Sequence, residues 1–134
     1  MTNVIDVPYM GDNEEDLHAV GLLLNEQPLQ LIDNSPWPEY KTTAKAGFSI
    51  AHNGNSILLR YEVEEKELKS ITRDYNQNVH KDNCVEFFIS FGTNGVAYYN
   101  VELNCLGSLK IGYGIERGKR LPLSAEFLVQ VRLN

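Results

Sequence analysis

The stretch that most constrains the fold of this chain runs from Asp82 to Asn104, DNCVEFFISFGTNGVAYYNVELN. β-Branched and aromatic residues flank a Thr93-Asn94-Gly95 centre, which predicts two strands joined by a tight turn. Period-2 alternation then sorts the side chains. Val85, Phe87, Ile89 and Phe91 share one face with Tyr99, Val101 and Leu103, the pattern of a sandwich core. The other face carries Glu86 and Ser90 on the first strand, and Asn100, Glu102 and Asn104 on the second. Pairing Gly92 with Val96 around the turn sets Glu86 opposite Glu102; one register step along, it faces Asn100. Like charges directly opposed on a sheet are destabilising. Two readings follow: a solvated outer face, where Glu and Asn are common, or a polar platform that grips something rich in hydroxyls.

The rest of the chain supplies the context for that hairpin. At 134 residues it is long enough to bury a core as one domain without disulfides or metals. A formal charge of −6 argues against nucleic acid or an anionic membrane as partner, and no apolar run approaches a membrane span. The start, MTNVIDVPYMGDNEED, lacks the basic region and apolar stretch of a secretion signal. That fits a cytoplasmic protein or one whose signal has been removed, so the compartment stays open. Cys84 has the parity of the Glu86 face and Cys105 that of the core face, so the expectation is two buried free thiols.

Along the chain, Val4 to Pro8 reads as an edge strand. A capping box of Asp12 and Glu15, followed by Leu17, Val20, Leu23 and Leu24 at helical spacing, predicts a helix from about Asn13 to Asn25. Strands are expected over Leu29 to Asp33, Ala46 to His52, Ile57 to Glu64, Leu109 to Ile115 and Glu126 to Leu133. Asn53-Gly54-Asn55 makes a hairpin turn. Asn34 to Pro38 is turn chemistry around Trp37, which between two prolines reads as a core plug. Glu65 to Tyr75 reads as loop with a helical turn near Lys66 to Ser70, and Glu116 to Arg120 as a basic loop. The fold class expected is all-β, a mainly antiparallel β-sandwich with one N-terminal α-helix, as a single domain over residues 1–134. A chain that stops directly after a strand leaves a bare edge, so the further expectation is a C-terminally truncated domain.

Several chemistries find little support. There is no Gly-x-Ser-x-Gly elbow and no phosphate-cradling glycine loop. Glu86 and Glu102 supply the two carboxylates of a glycosidase, but nothing in the sequence supplies an apolar pocket to raise the acid's pKa. Asp74-x-Asn76-x-Asn78 matches the first half of a calcium loop, then fails, with Val79 at the glycine position and Val85 at that of the bidentate glutamate. No cofactor is expected; a structural calcium held by loop oxygens is the one metal left open. His18, His52 and His80 show no ligand spacing, and Met10 is a weak haem ligand. Sugar binding fits the residue types better. It uses planar polar side chains that fork onto adjacent hydroxyls and a flat face for the ring's C–H surface. Glu86, Asn100, Glu102 and Asn104 supply the forks; Arg60, Arg73 or Arg117 could offset the carboxylates; Trp37, His80, Tyr98 and Tyr113 are the flat surfaces.

The residues that carry these features also carry a resemblance. The run Val79-His80-Lys81-Asp82-Asn83-Cys84-Val85-Glu86-Phe87-Phe88-Ile89, followed by Tyr98-Tyr99-Asn100-Val101-Glu102-Leu103-Asn104-Cys105-Leu106-Gly107, resembles carbohydrate-binding module family 9, and most of all its family 9-like members of Bacteroidetes type. Trp37-Pro38, Phe48 to His52, Tyr61 to Glu65, and Arg117 with Arg120 fall in the matching order. The resemblance implies a sugar-binding β-sandwich in which two tryptophans clamp a terminal sugar, polar strand residues read its hydroxyls, and calcium can be structural. It maps the motif glutamate onto Glu86 and polar strand positions onto Asn100 and Glu102. His80 stands where the first clamp tryptophan would be, and the other clamp aromatic would lie beyond Asn134. The resulting expectation is a non-catalytic carbohydrate-binding module reading a saccharide through Glu86, Asn100, Glu102, Asn104, His80 and Arg117. The alternatives are a glycoside-active enzyme using Glu86 and Glu102, and a structural sandwich whose sugar site has decayed.

Overall fold

The structure is a computed structural model, and it describes residues 4–11 and 16–133. The described residues form two antiparallel sheets with a helix near the N-terminus, the all-β class expected and the complement of sheets a β-sandwich is built from. They divide into two compact units, residues 1–67 and 68–134.

The first unit holds helix α1 (Leu17–Asn25) and strands β1 (Gln30–Leu31), β2 (Lys45–His52) and β3 (Ile57–Glu64), in sheet order β1-β2-β3. The helix starts later than the expected Asn13. Asp16 is extended and acts as the N-cap, its side chain accepting from His18 N at 2.9 Å. The expected Asp12–Glu15 capping box lies outside the described residues. Along β2 the small residues Gly47, Ser49 and Ala51 are buried, and α1 packs Val20 and Leu24 against Ala51, with Met10 and Leu58 alongside. Small side chains suit that face. A Cβ on Gly47 would come within 2.9 Å of the Leu29 side chain.

Two expectations fail in this unit. Val4 to Pro8 is not a strand; what pairs is a single parallel bridge from Tyr9 to His52, with His52 N donating to Pro8 O and Met10 N to His52 O. Proline has no N–H with which to extend a ladder. Trp37 does not plug a core either, since 61% of it is exposed.

The second unit holds strands β4 (Cys84–Ile89), β5 (Tyr98–Asn104), β6 (Leu109–Gly114) and β7 (Leu121–Pro122), in sequential order, followed by helix α2 (Ala125–Leu128). The central hairpin has the first expected register: Glu86 pairs with Glu102 and Phe88 with Asn100. The ladder stops at Ile89, so the connection is longer than the tight turn expected, and Ser90 Oγ donates to Ala97 O across it. The expected strand from Glu126 to Leu133 is replaced by α2. Ser124 O accepts from the N–H groups of Phe127 and Leu128, and the turn so formed seals Leu128 against Leu109 and Ile111, with Tyr99, Val101, Leu103 and Leu123 around them. The alternating residues that suggested a strand, Phe127, Val129, Val131 and Leu133, remain exposed. With no strand there, the bare-edge argument for truncation falls away.

Candidate functional site

Directly paired residues in an antiparallel sheet point to the same side. One side of the second sheet therefore carries Cys84, Glu86 and Phe88 from β4, Tyr98, Asn100, Glu102 and Asn104 from β5, and Lys110, Gly112 and Gly114 from β6. Four of the six residues expected in the site, Glu86, Asn100, Glu102 and Asn104, thus share one sheet face.

They are not equally exposed. Glu86 lies open to solvent, whereas Asn100, Glu102 and Asn104 are all at least 97% buried. The segment between Leu68 and Asn83 closes over the Asn104 end. Lys69 and Asn83 bond each other, Asn104 Nδ2 donates to Ile71 O, and Arg73 N donates to Ser108 Oγ. Under this cover Arg73 grips Asp82 with two hydrogen bonds of 2.8 Å. Those bonds, joined by one from Asn104, hold the Asp82 carboxyl below the usual carboxylate range against the opposing effect of burial.

Asn104 is the hinge-pin of this corner. Its amide nitrogen donates to Ile71 O and Asp82 Oδ2, and its oxygen accepts from Leu106 N and Ser108 N. All the positions an amide offers are filled from within.

Next along β5, Glu102 sits between Lys110 and His80. Lys110, its direct partner on β6, places Nζ 3.6 Å from Oε1, and His80 Nδ1 lies 3.8 Å from Oε2. Among the described residues no hydrogen-bond donor reaches Oε2, which is sealed from solvent. Lys110 is thus the charge that offsets the opposed acids; of the arginines expected in that role, Arg73 is taken by Asp82 and Arg60 pairs with Glu62 in the other unit. His80 is brought to the face by a short 3-10 turn, Val79–Lys81, and stays half-exposed. Asn100 Nδ2 donates to Glu86 Oε2 at 3.3 Å, so a buried amide steers the exposed acid.

Of the expected flat surfaces, Tyr98 is on this face beside Phe88, with ring centroids 6.0 Å apart, but Tyr113 stacks on Tyr99 at 4.5 Å on the opposite side. Arg117 lies exposed in the 3-10 turn Arg117–Lys119, and among the described residues no contact joins it to the acids. The arginine that does lie on the face is Arg120, over Phe88 and Tyr98. Lys110, Phe88 and Arg120 are the residues that reading the sequence missed as candidates. The register Glu102–Lys110 and the alternate glycines Gly112 and Gly114 were the available signals.

Both cysteines are free. Cys105 is exposed, contrary to expectation, while Cys84 is partly buried on the acidic face. Burial first, then the charges of Glu86, Glu102 and Asp82, push its thiol up to about 11. In the Asp74–Asn78 half-loop the Asn76 amide is engaged with the backbone of β6 and of Leu123. Asn76 Oδ1 accepts from Ile111 N and its Nδ2 donates to Leu123 O, and among the described residues no three His, Cys, Asp or Glu side chains cluster to hold a metal. Among the described residues no helix is long and apolar enough to cross a membrane.

A mainly antiparallel domain with an acid- and amide-bearing sheet face is the class these elements define. The chain belongs to carbohydrate-binding family 9, whose model matches residues 18–133. Among solved structures it is similar to a "putative carbohydrate-binding protein" from Bacteroides uniformis, at 35% sequence identity and a TM-score of 0.83. That match covers 92% of this chain but only 57% of the other, so the chain spans little more than half the length of its structural relative. No curated protein shows significant similarity to it.

Proposed function

We propose that this chain is a non-catalytic saccharide-binding module whose reading surface is the polar side of β4 and β5. The observation that carries the proposal is the placement of Glu86. It is an exposed carboxylate, set by register across from a buried, cation-flanked Glu102 and steered by the amide of Asn100. Exposed carboxylates accept from adjacent sugar hydroxyls in a forked geometry. His80 and Lys110 stand beside Glu102 as donors to the ligand's oxygens, and Phe88, 56% exposed, offers an apolar surface for a ring. Membership of a carbohydrate-binding family supports the same reading.

The parts differ in role. Glu86, His80 and Lys110 would touch the saccharide, Asn100 and Glu102 would hold them in place, and Asn104 would act only through the scaffold. Arg117 has no place in this arrangement. The burial of Glu102 also weighs against paired-carboxylate hydrolysis, which needs both acids at the scissile bond.

Incubating the protein with a panel of plant and microbial oligosaccharides, and following both retention on an affinity gel and product release, tests the proposal. Retardation by at least one saccharide without cleavage is expected. Cleaved products would move the protein to the enzymes, and no retardation by any saccharide would remove the reading.

A further inference from the structure

The least satisfied cation on this face is Arg120. Its guanidinium carbon lies 6.0 Å from the Phe88 ring centroid and 5.7 Å from that of Tyr98, at the outer limit for cation–π attraction. Room for it is left by two glycines. A Cβ on Gly112 would come within 3.2 Å of Arg120 Cβ, and one on Gly114 within 3.1 Å of its Cα. The side chain thus crosses a strip of β6 that carries no side chains of its own, next to Asn100 and Tyr98.

What the guanidinium lacks is an acceptor. Among the described residues no carboxylate pairs with Arg120, and its Nη1 is shut off from solvent without a hydrogen-bond partner. Glu102 already has Lys110, and Asp82 has Arg73. A guanidinium presents its donors in a rigid planar fork suited to paired oxygens, and leaving a donor unpaired out of water is unfavourable.

We infer that Arg120 is a specificity-determining residue of the saccharide site, turning from its aromatic bed to donate its fork to ligand oxygens. The ligand seen this way is a saccharide that lays one sugar ring against Phe88 and presents paired acceptor oxygens to Arg120, either two adjacent hydroxyls or a uronate carboxylate. This rests on the saccharide reading above and assigns to Arg120 the role the sequence suggested for Arg117.

The experiment is calorimetric titration of the parent chain, Arg120→Lys and Arg120→Gln with neutral oligosaccharides and, separately, with oligogalacturonate, each protein's thermal unfolding being recorded alongside. Arg120→Lys keeps the charge and the apolar stem but not the fork. It should bind about tenfold more weakly than the parent, with Arg120→Gln weaker still. Loss on the neutral sugars alone identifies hydroxyls as the acceptors, and loss on oligogalacturonate alone identifies the carboxylate. If Arg120→Gln fails to fold, Arg120→Lys decides. A parent that binds while a folded Arg120→Lys binds equally well overturns the inference and leaves the saccharide reading intact. A parent that binds neither class overturns both.

Discussion

Glu86 and Glu102 stand directly opposite each other on β4 and β5, yet Glu86 is exposed and Glu102 is only 3% accessible. Two like charges in that register repel. The chain relieves the conflict by separating their surroundings. Glu102 is placed under the sheet's cover beside Lys110 and His80, and Glu86 is left in water with a hydrogen bond from Asn100.

The covered corner should be the mechanical support of the face. Asn104→Ala removes four hydrogen bonds, taking the side-chain partner from the Ile71 carbonyl and from the Leu106 and Ser108 N–H groups and leaving Asp82 to Arg73. A loss of about 2–3 kcal/mol in urea unfolding is expected. A change within about 0.5 kcal/mol, the range of ordinary surface substitutions, would contradict the role given to Asn104.

Acid sensitivity follows from Asp82. Its folded pKa is lowered, chiefly by Arg73, so its contribution to stability is fully present above the unfolded value of about 3.9 and is lost as pH falls below that toward the folded value. Melting temperatures measured from about pH 5 down to about pH 2 should fall less steeply in Asp82→Asn than in the parent. Parallel curves would show that the Arg73–Asp82 pair does not set the acid limb.

The two thiols should separate kinetically. Cys105 is exposed, while the Cys84 thiol is pushed up to about 11 and lies partly buried. At about pH 8 a disulfide-exchange reagent should modify the exposed Cys105 well before Cys84, whose partial burial and raised pKa keep it from the reactive thiolate form. Cys105→Ser should then react appreciably only on unfolding. Two fast phases of equal amplitude would contradict the environment described for Cys84.

How much of this was legible beforehand differs from element to element. The hairpin register was readable because a period of two and one turn position determine every pair, and Glu86 did fall opposite Glu102. The burial of Asn100, Glu102 and Asn104 was not. Parity assigns a side of the sheet but does not say what covers it, and the covering segment from Leu68 to Asn83 has no periodicity of its own. The Arg73–Asp82 pair that anchors it spans nine positions of irregular chain. Arg120 fell in the order of the family resemblance beside Arg117, but its place on the polar face was signalled only by glycines at alternate positions of β6.

The C-terminal segment shows how alternation can mislead. Phe127, Val129, Val131 and Leu133 alternate as a strand would, but Ser124 opens a helical turn and the residue carried inward is Leu128, which is fully buried. Leu128→Ala should therefore cost roughly 2–4 kcal/mol and Phe127→Ala less than about 1 kcal/mol. The reverse order in denaturant unfolding would restore the strand reading.

The central claim is that Glu86 reads the ligand rather than supporting the fold. Calorimetric titration of Glu86→Gln against a saccharide that the parent binds, with thermal unfolding of both proteins alongside, tests it most directly. The account predicts at least about a tenfold loss of affinity, as for removal of a charge-assisted hydrogen bond, with an unchanged melting temperature. Undiminished affinity in the folded variant would contradict it.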